Sequence, residues 1–153
     1  MKFRSTGVFA FCLIMMVSNQ AHGQKFIKYI FLENRVKILV QKNFIEAQLK
    51  DSLINSQLAK HEKCWKTKNN AATLNAFTFE HESASDILVV THSFWNEFSD
   101  SEIFTIKKER KANINNKKQI GVIELSAKLK GKEKYSCIFC SSLENNEYIF
   151  FLF

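Results

Sequence analysis

Residues 86–95 read Asp-Ile-Leu-Val-Val-Thr-His-Ser-Phe-Trp, an apolar run held between the polar clusters Glu82-Ser83-Ala84-Ser85 and Ser99-Asp100-Ser101. Rich in Val, Ile, Thr and aromatics, and bounded by turn-forming residues, it reads as a β-strand. The same pattern extends in both directions, with comparable runs at 35–41, 61–68, 73–80, 102–108, 119–128, 133–140 and 147–153. Between them stand turn signals: Asn69-Asn70, the Asn-rich stretch 113–116, Gly131 and Asn145-Asn146. Alternation is clearest where Val36, Ile38 and Val40 share one face, and where Phe77 and Phe79 share another. The expected fold is therefore all-β, with eight antiparallel strands. Short links favour an up-and-down barrel, because closure removes exposed edges. A sandwich is the alternative, with Trp95 lying between Cys64 and Cys137 in a loose version of the immunoglobulin pattern. The stretch 26–32 is read as a short N-terminal helix across one end or as an extra edge strand, and 44–58 as a helix or long loop. The uncharged run Tyr148 to Phe153 closes the barrel if paired on both sides and is an aggregation hazard if it is not.

Composition bounds the class. The 153 residues are 46% apolar and 24% charged, with no proline, which excludes a disordered or collagen-like chain and predicts one folded domain. The N-terminus carries Lys2 and Arg4, then the ten-residue apolar run Val8 to Val17, then Ala21-His22-Gly23. That order of charge, apolar core and small residues predicts an export leader over 1–23, and a domain over 24–153. The apolar run is shorter than the roughly 20 residues a membrane span needs. Loss of the leader lowers the net charge from +7 to +5, with twenty basic and fifteen acidic residues remaining. The expected location is extracellular.

Three cysteines follow the leader: Cys64, Cys137 and Cys140. In an oxidising compartment the expectation is a disulfide from Cys64 to one of the other two, leaving one thiol unpaired or bonded between chains. His61-x-x-Cys64 with Cys137-x-x-Cys140 also has zinc-ligand spacing, but secretion disfavours thiolate–metal sites. On a continuous strand, positions 137 and 140 also face opposite ways. No catalytic pattern stands out. His81-Glu82 lacks the second histidine of a helical metalloprotease, there is no Gly-x-Ser-x-Gly elbow or phosphate-cradling glycine loop, and His92 reads as a lone strand histidine. The expectation is a non-enzyme with no cofactor and no metal. The densest charge run is Lys107-Lys108-Glu109-Arg110-Lys111, extended by Lys117-Lys118. It reads as a solvated hairpin end that protects a sheet edge, with a host polyanion or protein as the alternative partner. Nucleic acid is not expected, since no aromatics interleave with the charges.

The order of features resembles the salivary lipocalins of ticks. The resemblance rests on Phe31-Leu32, the strand Val36 to Val40, Lys63-Cys64-Trp65, Tyr135-Ser136-Cys137 and the late Glu147-Tyr148-Ile149-Phe150. Ile138 stands where the amine-binding subgroup carries an aspartate, and Glu147-Tyr148-Ile149 where it carries Glu-Leu-aromatic. The family also continues past its last strand into a cysteine-bearing helix, so the resemblance implies a divergent or C-terminally shortened member. It implies a secreted carrier of the histamine-binding type, a β-barrel cup sequestering a small host ligand, either a biogenic amine or a bioactive lipid. The candidate ligand-binding residues in such a cup are Phe77, Phe79, Trp95 and Phe104, with Glu147 nominated by the resemblance as the acid. The alternative is a secreted effector with a filled barrel that binds protein or polyanion.

Overall fold

The computed structural model describes residues 10–12, 25–49, 54, 57–82, 86–98, 100–114 and 118–153. The elements run β1 (Ala10–Cys12), β2 (Phe26–Phe31), β3 (Val36–Gln41), β4 (Phe44–Ala47), β5 (Ala59–Thr67), β6 (Thr73–Glu80), α1 (Ile87–Glu97), β7 (Thr105–Ile114), β8 (Lys118–Leu129), β9 (Lys132–Ser142) and β10 (Glu147–Leu152). Seven of the strands form one antiparallel sheet in the order β4-β5-β6-β10-β9-β8-β7. A small second sheet has the order β1-β3-β2, with β1 parallel to β3. The protein is thus mostly β and mostly antiparallel, as expected.

The barrel is not what the strands build. β4 and β7 lie at opposite ends of the large sheet, which stays open. The reason is visible in its central strands. β10 is buried from Tyr148 to Leu152 and β6 from Leu74 to Phe79, so both need cover on both faces. A closed barrel shelters one face, whereas here two separate layers do so. On one side Val36, Ile38, Val40 and Phe31 of the β2–β3 hairpin pack on Trp65, Leu74, Ile149 and Phe151. On the other, α1 lays Val90, Phe94 and Trp95 over Phe77, Phe79, Ile123, Ile138 and Phe150. The run Tyr148 to Leu152 is paired on both sides, but as a central strand of an open sheet.

Residues 86–95 are the second correction, because they form helix rather than strand. Val90, Thr91, Phe94 and Trp95 are the buried positions of α1, a 3.6-residue period that alternation cannot produce. Asp86 starts the helix by accepting from the Leu88 N–H at 2.9 Å. It is also bonded by the Lys111 ammonium of β7, and these two contacts hold its carboxyl below the ordinary range. Local β-propensity loses here to the capped N-terminus and to the area buried against the sheet.

The third correction concerns the short N-terminal helix, in whose place the edge-strand alternative holds. Residues Phe26–Phe31 are strand, paired antiparallel with β3 from Phe26↔Gln41 to Phe31↔Val36. The connecting turn holds Leu32, Glu33 and Asn34 at φ of 51°, 52° and 70°, which folds the chain straight back on itself. The 44–58 stretch supplies strand β4 at its start, and Ile54 bridges to Phe98 at the end of α1. The export-leader expectation falls on 1–23, most of which lies outside the described residues.

One glycine fixes how closely the layers approach. A Cβ on Gly121 of β8 would sit 2.2 Å from Thr91 Oγ1 and 3.1 Å from the Ile87 carbonyl oxygen, so α1 rests directly on the backbone there. Cys140, the cross-strand partner of Gly121, is buried beside the same contact.

Candidate functional site

The aromatic candidates form one continuous packed layer. Phe94 of α1 stacks on Phe150 at 4.1 Å between centroids, and Phe77 and Phe79 pack against it at 5.4 and 6.1 Å. Trp95 stacks on Phe98 and meets the half-buried Phe104 edge-on at 6.5 Å. Phe77, Phe79 and Trp95 are buried. Glu147 is not with them. It lies on the hairpin side of β10, where the Arg35 guanidinium pairs with its carboxylate.

The expected disulfide from Cys64 to Cys137 or Cys140 is not formed. Cys137 belongs to the hairpin-side layer and Cys140 to the helix-side layer, as strand alternation requires three positions apart. Burial pushes the Cys137 thiol up to about 12, and raises Cys140 further still. Both thiols are therefore expected to resist iodoacetamide at pH 8 in the folded protein and to react once urea unfolds it, as followed by mass spectrometry. The zinc arrangement is not assembled either. His61 stacks on Phe77 at 4.5 Å and bonds Asn75 Oδ1 at 3.1 Å, and no group of three or more potential ligands forms a metal site among the described residues.

His92 lies on α1, not on a strand, and meets Glu109 of β7 at 2.6 Å. β7 is an edge strand, and its basic run is exposed there, with Arg110 facing Glu124 and Lys111 bonded to Asp86. No helix among the described residues is long and apolar enough to cross a membrane.

A cleft of about 670 Å³ opens where the end of β6, the flank of α1 and the β9–β10 turn converge. β6 brings Phe79 and Glu80 to it, followed by His81 and Glu82; α1 adds Ser93 and Glu97, one helical turn apart on the same flank. Asn145 and Asn146, at φ of 55° and 60°, make the tight turn that forms the far wall. The His81 N–H donates to the Asn146 carbonyl at 3.2 Å, fastening that turn to β6. Inside, the Ser93 hydroxyl donates to the Val89 carbonyl at 3.1 Å and lies 3.3 Å from His81 Nε2. A hydroxyl has one proton to give, so Ser93 accepts from His81 Nε2–H. His81 Nδ1 is then left buried without a hydrogen-bond partner.

Among the described residues, Glu80, Glu82 and Glu97 line this cleft and no lysine or arginine does, in a chain of net charge +7. The floor is apolar, from Phe79 and Leu58. The arrangement suits a compact cation with an apolar body, because carboxylates replace part of its lost hydration while the floor takes the body. Sequence reasoning considered His81-Glu82 only as a protease motif and Asn145-Asn146 only as a turn. The acid-histidine-acid triplet at a strand end, in a basic chain, was the available signal.

With the layers and the cleft defined, the architecture can be compared with known structures. Its fold is similar to that of a cyanobacterial PsbP. The solution structure of PsbP (CyanoP) from Synechocystis sp. PCC 6803 superposes with a TM-score of 0.62, covering 90% of this chain and 84% of that one. At 9% identity this likeness concerns the fold alone. No protein-family model matches the chain, and no curated protein matches it in sequence.

Proposed function

We propose that the chain is an exported binding protein that sequesters a small organic cation, a biogenic-type amine, in the cleft between β6, α1 and the β9–β10 turn. The observation that carries this reading is the set of three carboxylates, Glu80, Glu82 and Glu97, lining a cleft that no lysine or arginine among the described residues lines. The ligand class is the amine implied by the lipocalin resemblance, but the site is moved from a barrel interior to the flank of a helix. The lipid alternative is weaker at this site, because an anionic head group would meet like charge there. The volume falls in the ordinary range for small-molecule sites.

Native mass spectrometry against a mixed panel of biogenic amines, leukotrienes and fatty acids tests the proposal. A one-to-one amine adduct is expected. Replacing one half-buried carboxylate, Glu97→Gln, is expected to weaken it about fivefold, or roughly 1 kcal/mol, and raised salt is expected to weaken it further. A lipid adduct instead, or a folded protein whose mass never shifts, would overturn the amine reading. The second outcome moves the search to macromolecular partners of the basic edge strand.

A further inference from the structure

The β2–β3 hairpin covers the large sheet with one of its two faces, and the fold needs only that face to be apolar. Register fixes what the other face carries. Val36, Ile38 and Val40 are buried against the sheet, so Lys37, Leu39 and Gln41 are the outward positions of β3. Their cross-strand partners on β2 are Ile30, Lys28 and Phe26. Phe26 and Ile30 are 48% and 47% exposed, although polar residues would serve the fold equally well there. Leu39, half-buried, stands diagonally between the two and within reach of both, so three apolar side chains make one patch. Lys28 and Lys37 are interleaved with it, and the exposed Lys25 and Lys42 flank the open end of the hairpin. Residues 25–42 carry five basic side chains against one acid, Glu33, which sits out at the turn. β1 pairs alongside β3 in the same sheet, extending the face rather than lying across it.

We propose that the outer face of this hairpin docks on an anionic lipid surface, with Phe26, Ile30 and Leu39 entering the boundary between headgroups and acyl chains. The inference is independent of the cleft and its ligand. A bilayer interface is charged above and hydrocarbon below, which is the chemistry that interleaved lysines and apolar side chains match. Each lysine can lay its apolar stem along the inserted side chains while its ammonium stays among the headgroups. Three apolar side chains are too few to anchor the protein alone, so lipid charge is required. The same charge disfavours a second copy of the chain as the occupant. Twofold pairing through this face would set its lysines against the same lysines, with no acid among the described outward positions to separate them.

Vesicle co-sedimentation of the full chain tests the proposal, with phosphatidylcholine alone and with phosphatidylcholine mixed with phosphatidylserine. Binding is expected to favour the mixed vesicles and to weaken as salt is raised. Lys28→Gln is expected to weaken it about fivefold, and Phe26→Ser combined with Ile30→Ser at least about tenfold. Lys107→Gln combined with Lys108→Gln, on the exposed edge strand β7, removes more charge from the chain than Lys28→Gln does. It is nevertheless expected to leave binding within about twofold. Residues 1–23 are the same in every variant, so differences between variants report on the hairpin. Phe26→Trp gives a separate reading at an exposed position, since Trp65 and Trp95 are buried. Its emission is expected to shift to the blue on mixed vesicles. Equal binding to the two vesicle types, or binding untouched by the Phe26 and Ile30 substitutions, would overturn the proposal. So would a loss in the β7 variant as large as that in Lys28→Gln, which would make net charge the cause. Absence of binding to the mixed vesicles would overturn it as well and leave the face to an acidic protein partner.

Discussion

Phe94→Ala is expected to destabilise the chain by about 3–5 kcal/mol, the range for removing a fully buried phenyl ring. Phe94 is fully buried, stacks on Phe150 and packs against both Phe77 and Phe79, so truncation breaks the centre of the helix-side layer. For a domain whose whole stability is about 5–15 kcal/mol, that is a large fraction. In urea the midpoint should fall by about 2 M, with the slope unchanged. The control is Val89→Ala on the same helix. Val89 is exposed, and its loss should stay within about 0.5 kcal/mol. The pair tests the one-sided burial of α1. If Val89→Ala cost as much as Phe94→Ala, the one-sided burial of α1 would be wrong.

Gly121→Ala should also be damaging, for the opposite reason. The added methyl meets Thr91 Oγ1 at 2.2 Å and the Ile87 carbonyl oxygen at 3.1 Å, and the backbone oxygen has little freedom to retreat. Overpacking of this kind costs about 1–3 kcal/mol. Thr91→Ala alone loses a buried methyl and the hydroxyl's 2.6 Å bond to the Ile87 carbonyl, a loss of about 1 kcal/mol. In the double variant the nearest clash is gone, because the closest atom that Thr91 then offers is its Cβ at 3.3 Å. The two effects should therefore fall short of additive by about 1–2 kcal/mol in a double-mutant cycle read by chemical denaturation. Additive losses would mean that α1 does not rest on Gly121.

Much of the sheet could be read from the chain. The run 73–80 matches β6 end for end, and the turn signals at Gly131 and Asn145-Asn146 separate β8, β9 and β10 as expected. Those positions adopt positive φ, which is why their residue types were informative. The layering could not be read in the same way. The continuous apolar run of β10 means burial on both faces, whereas β6 buries Asn75 and Thr78 among its apolar residues, so its two-sided cover is hidden in the chain. The helix was hidden because Ile87, Val89, Val90 and Thr91 are β-branched, and only tertiary burial reveals the 3.6-residue period. The cleft was the least legible part. Glu80, Glu97 and Asn145 are distant in sequence, and converge only because β10 inserts between β6 and β9 while α1 crosses the helix-side face. Glu147, the acid reached by resemblance, is adjacent in sequence to that turn but points through the sheet to Arg35.

Chemical-shift mapping by nitrogen-15 NMR, titrating a biogenic amine such as histamine into the labelled protein, tests the functional reading most directly. Saturable shifts are expected to cluster at Phe79 to Glu82, Ser93, Glu97, Asn145 and Asn146, with the hairpin-side residues Trp65 and Phe151 unmoved. Shifts confined to the hairpin side, or none at millimolar amine, would contradict it.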